Sequence, residues 1–403
     1  ARPGARYEDA ALGRGLTDMA VRKTASSTPA GEPSVAIVAR QAVRGLTPYA
    51  QGKSSVEGHF ESIKLSSNES PLGPSPDAIA AYHEAAKRLF RYPDGGQKAL
   101  RKAIAEIHGL GSAQIVCGNG SEELQLLLVR AFVTPGEEVI CSEHSFAMGR
   151  THAKSQGATI ITAPEAQMRA DADAILSRLS KKTRMIMLAS PNNPVGDYMR
   201  RDELARLVAG VPKDVVIIYD GAYADYVDAS DYDDGLLLPR QSPNVVVTRT
   251  FSKLYGLAGL RIGWMCADPS VVAAVEPIRT PFNTNAAALA AAEAAVLDVG
   301  YAAMVKAHNS KWLSKITEAL RSIGYDVPPS VANFYLIRFD ATGAFTAEAA
   351  AEFLLKRGII PRPVGAGGPA GCLRITVGLE HENEAVIEAL REFRASCARN
   401  RTA

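Results

Sequence analysis

The sequence predicts an α/β fold built on a parallel β-sheet. From about residue 75, short apolar runs alternate with amphipathic helical stretches, the pattern of strands joined by crossover helices. The runs are dense in β-branched residues and lack polar alternation, as strands covered on both faces should. Each then enters polar or glycine-containing sequence: "GNGSEE", "EHSF", "SPNNPVG", "DGAYADY" and "TFSKLYG". Ligands of open α/β sheets bind beyond the carboxyl ends of the strands, so these converging ends predict a site.

Residues 1–34 mix Arg, Ala, Gly, Ser and Pro without sustained periodicity and read as a flexible arm. A helix is expected over "PDAIAAYHEAAKRLF", followed by the turn "RYPDGG". The expected strands are "QIVCG" at 114–118, "EVICS" at 138–142, "RMIMLA" at 184–189, "VVIIYD" at 215–220 and "NVVVTR" at 244–249. Beyond about residue 285 an alanine-rich helical region leads to a smaller unit, with strands "NFYLIRF" and "CLRITVG" and a closing helix "ENEAVIEALREF". At 403 residues, one large domain plus a smaller one is the first expectation.

Charge narrows the partner. Lys plus Arg total 45 against 43 Asp plus Glu, so no strong field favours nucleic acid or a membrane surface, and a small molecule is expected. No apolar run is long enough for a spanning helix, and the beginning shows no apolar core of an export signal. Cys117, Cys141, Cys266, Cys372 and Cys397 are scattered, with no CxxC pair, which suits a reducing cytoplasm and predicts no metal site.

The stretch "TRTFSKLYGLAGLRIGW", Thr248 to Trp264, sets one lysine among apolar residues and glycines. Such surroundings depress an amine's pKa and make it nucleophilic. Asp220 closes an apolar strand and needs a cationic or strongly donating partner there, although capping of the next helix would also explain it. Asn193 precedes a proline just after another strand and either donates into the pocket or starts a turn. Gly120, Ser121 and Glu122 open a helix after a strand and can offer backbone N–H groups to a phosphate, with simple capping by Ser121 as the alternative. His144 and His108 have no metal spacing around them and read as structural. Together, an amine at Lys253, an anchored Asp220, a phosphate cradle and a second phosphate set, Ser252 and Arg261, are what pyridoxal 5'-phosphate requires.

These motifs resemble the fold type I aminotransferases. The resemblance narrows to the histidinol-phosphate aminotransferase family through "LTPY", "KLSSNESPLGPSP", "RYPDG", "TFSKLYGLAGLRIGW", "PSVANFYLIRF" and "CLRITVGLEHENE", covering roughly residues 44–396. It implies a large domain (75–290) with a mostly parallel seven-stranded sheet between helices, a smaller α+β domain (291–403), and a segment (35–74) contributing to the active site and small domain. It also implies Lys253 as the Schiff-base lysine, Asp220 at the ring nitrogen, and Asn193 and Tyr223 at the ring hydroxyl. The phosphate would meet Gly120, Ser121, Glu122, Thr250, Ser252 and Arg261, and Phe146 would stack on the ring. Tyr92 would reach the phosphate of the neighbouring subunit, which implies a homodimer. Arg374 would take an α-carboxylate, and Tyr49, Asn68 and Arg362 would surround the distal end of the substrate. The implied reaction is ping-pong transamination between an amino donor and a 2-oxo acid acceptor, with histidinol phosphate as donor. Aromatic amino acid transamination, decarboxylation of a related substrate, and a non-enzymatic cofactor-binding regulator are the competing readings.

Overall fold

A computed structural model describes residues 37–56, 62–365 and 367–402, so the arm expected over 1–34 lies outside the described residues. Gln41 onward forms one compact unit, and of the preceding unit only residues 37–40 are described, without regular secondary structure.

The central sheet has seven strands: β1 (Ile115–Gly118), β2 (Glu138–Ser142), β3 (Thr159–Ala163), β4 (Thr183–Ala189), β5 (Val216–Asp220), β6 (Val245–Thr250) and β7 (Gly263–Cys266). Their order is β1-β7-β6-β5-β4-β2-β3. Only β7 runs antiparallel to its neighbours, and it separates β1 from β6. Two apolar cores cover the sheet, one per face. One includes Ile115, Ile140, Ile186, Ile217 and Val247, and the other Val116, Val139, Met185, Ile218 and Val246; adjacent residues on a strand enter opposite cores.

All five expected strands form within a residue of their predicted ends. Two strands of the central sheet escape the sequence reading. β3 is an edge strand with half-exposed residues, and β7 is a four-residue run that starts in the last two residues of the lysine motif and continues past it. The first helix is shorter than expected: it spans Pro76–Ala86, capped by the Ser75 side chain accepting from the Ala78 amide. Beyond it, Lys87 and Arg88 donate to carbonyls three residues back, which tightens and ends the last turn.

A second sheet contains β8 (Phe334–Arg338), β9 (Arg362–Pro363) and β10 (Cys372–Thr376), with β10 antiparallel to both neighbours. Its core joins Tyr335, Ile337, Leu373 and Ile375 to Trp312 and Ile316 of the helix Val299–Ser322 and to Val386 and Leu390 of Glu380–Thr402. Leu65, in the 35–74 segment, is buried in the same core beside a two-residue parallel pairing of Ile63–Lys64 with Ile359–Ile360. That segment therefore reaches the site from the second sheet's side. No single described helix is long and apolar enough to cross a membrane.

Candidate active site

The carboxyl ends of β1, β2, β4, β5 and β6 open on a cavity of about 380 Å³. All the sequence candidates line it except Gly120, which immediately precedes the lining residue Ser121, and Tyr92, which is 84% exposed and stacks on Phe282 at 4.8 Å.

Lys253 follows β6 and turns its side chain inward. Nζ donates to the Ser67 carbonyl at 3.2 Å and lies 5.8 Å from the Tyr223 ring centroid. Burial, reinforced by the nearby Arg374 charge, pulls its pKa down from 10.5 to about 7. Near neutrality a large share of this amine is therefore unprotonated.

Asp220 ends β5, with Thr248 as its register partner on β6. Its carboxylate accepts from Gln125 Nε2 at 2.9 Å and Thr248 Oγ1 at 3.0 Å. Burial pushes its pKa up, and these hydrogen bonds pull against that rise. It caps no helix: the next element is a short turn, Ala224–Tyr226, without a side-chain cap. A buried carboxylate with only neutral hydrogen-bonding partners and a face on a cavity is a site for a cation or an N–H donor.

The cavity floor is rich in donors. The helix Gly120–Phe132 starts here, and its N-cap is Asn119, so the Ser121 hydroxyl is not used as a cap. Thr250 Oγ1 bonds Ser252 Oγ at 2.9 Å, and Arg261 Nη1 reaches the same Ser252 Oγ at 3.3 Å. Two glycines make this approach possible. A Cβ on Gly263 would lie 2.5 Å from the Ser121 nitrogen, and one on Gly120, at φ +78°, would lie 2.8 Å from Arg261 Nη2. Glu122 turns its carboxylate to His152 Nε2 at 3.6 Å, which holds its pKa down. Its charge is thus engaged elsewhere, and its amide remains at the helix N-terminus, where an anion is favoured.

At the other end of the cavity, Tyr223 Oη accepts from Asn68 Nδ2 at 2.8 Å, and burial pushes the phenol pKa up. Asn68 adopts a left-handed φ of +54°, held by its amide to Thr376 Oγ1 at 3.0 Å and by Asn333 Nδ2 to its carbonyl at 3.0 Å. Arg374, on β10, is 9% exposed; it donates to Asn193 Oδ1 at 2.5 Å and the Ser66 carbonyl at 2.9 Å, while its buried Nε has no partner. Arg362, on β9, is directly opposite Arg374 in register and donates to the Ala50 carbonyl at 2.7 Å beside the Tyr49 ring. Phe146 meets Tyr49 edge-on at 5.8 Å. His144 pairs with Glu165 at 2.9 Å and His108 packs on Trp264, so both have structural partners. Among the described residues, no cluster of metal ligands occurs.

The model of the family "Aminotransferase class I and II" matches residues 61–390. The chain belongs to this family. The aminotransferase is 45% identical over 354 residues to a histidinol-phosphate aminotransferase of Paramagnetospirillum magneticum, covering 88% of this chain and 98% of the relative. A second relative of that name, from Rhodopseudomonas palustris, is 45% identical over 359 residues, with 89% and 98% covered. In structure, the aminotransferase resembles the histidinol-phosphate aminotransferase of Sinorhizobium meliloti in complex with pyridoxal-5'-phosphate, at TM-score 0.78 and 27% identity, covering 85% of this chain and 92% of that one. The Thermus thermophilus aspartate aminotransferase with maleate shares the fold at TM-score 0.73 and 18% identity, covering 82% and 91%.

The two residues that hold the Asp220 carboxylate were missed in the sequence, as were Ser66 and Ser67, whose carbonyls accept from Arg374 and Lys253. Gln125 lies one helical turn after Ser121, on the same face, and Thr248 lies two residues before Thr250, on the same side of β6. Those spacings were the available signals.

Proposed function

We propose that this aminotransferase uses pyridoxal phosphate to move an amino group between histidinol phosphate and a 2-oxo acid. The observation that carries the substrate reading is the Arg362–Arg374 pair. Like charges directly opposite on adjacent strands are destabilising, and neither guanidinium has an ion pair with a described carboxylate. Two cations held in this way suit a substrate with an anion at its distal end and, in the second half-reaction, an α-carboxylate.

The residues present fit the cofactor. Asp220 would hold the protonated ring nitrogen, and Ser121, Ser252, Arg261 and the amides of Gly120 and Glu122 would hold the phosphate, with Thr250 orienting Ser252. Phe146 would cover the ring. Bound pyridoxal phosphate supplies an electron sink that acidifies the substrate Cα–H. Lys253 would carry the cofactor covalently at Nζ and, when freed by the incoming amine, accept the Cα proton, a role its lowered pKa suits. Tyr223 stays protonated because burial disfavours the phenolate, and with its oxygen accepting from Asn68 it can donate its own proton. Arg374 occupies Asn193 Oδ1, which leaves the Asn193 amide N–H groups to donate to the ring hydroxyl. A cofactor-binding domain over 75–290 and a smaller one over 291–403 are supported by the separate cores of the two sheets, except that Ala291, Ala292, Ala295 and Val296 of the helix Ala286–Leu297 pack in the large sheet's core, which moves the boundary past that helix.

Single-turnover half-reactions with histidinol phosphate, glutamate and phenylalanine test the substrate reading. Histidinol phosphate lacks an α-carboxylate, so Arg374→Ala is expected to slow glutamate more than histidinol phosphate. Arg362→Ala is expected to slow both and spare phenylalanine. Losing a charged hydrogen bond costs about 1.5–3 kcal/mol, or roughly 10- to 150-fold in kcat/KM. Equal slowing of phenylalanine and histidinol phosphate by Arg362→Ala would remove the distal-anion role. A parent enzyme that converts phenylalanine but not histidinol phosphate would make it an aromatic aminotransferase.

Tyr92 is exposed and lines no part of its own cavity, which supports the reading that it completes the site of a second subunit in a homodimer. Hybrid dimers of inactive Lys253→Ala chains and chains inactivated by Tyr92→Asp are then expected to regain one working site. Heterodimers shown to form but without recovered activity would exclude the crossing.

A further inference from the structure

The site cavity continues outward into a recess of about 540 Å³ that shares Tyr49, Phe146, Asn193, Arg362 and Arg374 with it. Arg150 and Lys154 also line this recess, and no described carboxylate does. Arg150 bonds only neutral acceptors: the Ser142 and Glu143 carbonyls, Ser145 Oγ at 3.2 Å and Thr162 Oγ1 at 3.1 Å. Its charge is therefore held in place without being cancelled. Lys154 is exposed in the last turn of the helix Ala147–Gln156, four residues after Arg150. Like charges at this spacing destabilise a helix. Two like-charge pairs, one on a helix and one across two strands, thus border the same passage.

We propose that Arg150 and Lys154 form an electrostatic funnel that leads phosphate-bearing substrates of net negative charge to Arg362, with Lys154 acting before binding and not in the chemical step. This rests on the substrate reading above. Protein walls of low dielectric focus the field of charges of one sign along a cleft and raise association rates. A lysine that merely complements the helix C-terminus would change stability and leave association untouched.

The test compares the parent holoenzyme with Lys154→Glu, using kcat/KM for histidinol phosphate at low and high salt. At about 10 mM ionic strength the field reaches roughly 30 Å, and at about 1 M only about 3 Å. The expected result is a loss of roughly fivefold or more at low salt, shrinking to within about twofold at high salt, with kcat retained. Phenylalanine, which has no net charge, is expected to show no such loss. Lys181→Glu makes the same charge change on an exposed residue two positions before β4, at the opposite end of the strands, and is expected to behave as the parent. A loss that persists at high salt, or that phenylalanine or Lys181→Glu reproduces, overturns the funnel. Calorimetric binding of inorganic phosphate to the holoenzyme reads the funnel without turnover. Equal affinity in parent and Lys154→Glu at low salt overturns it even if histidinol phosphate proves not to be a substrate, whereas weaker binding by the variant supports it independently of that outcome.

Discussion

Lys253→Ala is expected to lower turnover by at least about 10³-fold, because a positioned proton-transfer group alone is worth about 10²–10⁴-fold and the covalent anchor is lost with it. The protein should stay folded and still bind pyridoxal phosphate, now released by dialysis, since the donors at the cavity floor, Ser121, Ser252 and Arg261, do not depend on the lysine. Turnover within tenfold of the parent would remove Lys253 from the mechanism. The apoprotein gives a separate reading of the same amine. The folded pKa of about 7 lies below the ordinary value of 10.5, so between these two pH values the unfolded chain binds a proton that the folded chain does not. Apoprotein stability is therefore expected to rise with pH across this window, with the burial penalty present in full below it. Denaturant unfolding of Lys253→Met should lack that rise.

Asp220→Ala is expected to cost about 3–5 kcal/mol, on the order of 10²–10⁴-fold in kcat, the scale for breaking a buried charge pair. Without the carboxylate, Gln125 and Thr248 offer the ring nitrogen no charge to keep it protonated. Reconstitution with N-methylated pyridoxal phosphate, whose ring nitrogen is permanently cationic, should restore part of the activity. No rescue in a variant that still binds this analogue would make Asp220 structural.

The carboxyl ends of five strands were readable because the strands are local: each is a short β-branched run closed by a polar or glycine-containing turn, and the chemistry follows within a few residues. Asp220 closes such a run, and Lys253, Asn193, Ser121 and Phe146 lie within a few residues of the end of theirs. β7 was hidden because its four residues continue the lysine motif and its partners, β1 and β6, are chosen by the sheet. β3 was hidden because an edge strand needs no continuous apolar run.

By itself, then, the sequence determined the α/β class, the strand ends that build the site, and the lysine, carboxylate, hydroxyl and guanidinium groups brought to those ends, since these depend on local pattern and side-chain chemistry. Tertiary structure alone decided that Asp220 rests on Gln125 and Thr248, that Asn68 is locked in a left-handed conformation between Thr376, Asn333 and Tyr223, and that Arg362 faces Arg374. Those facts depend on register between segments up to 308 residues apart, and register is set by packing of the whole chain.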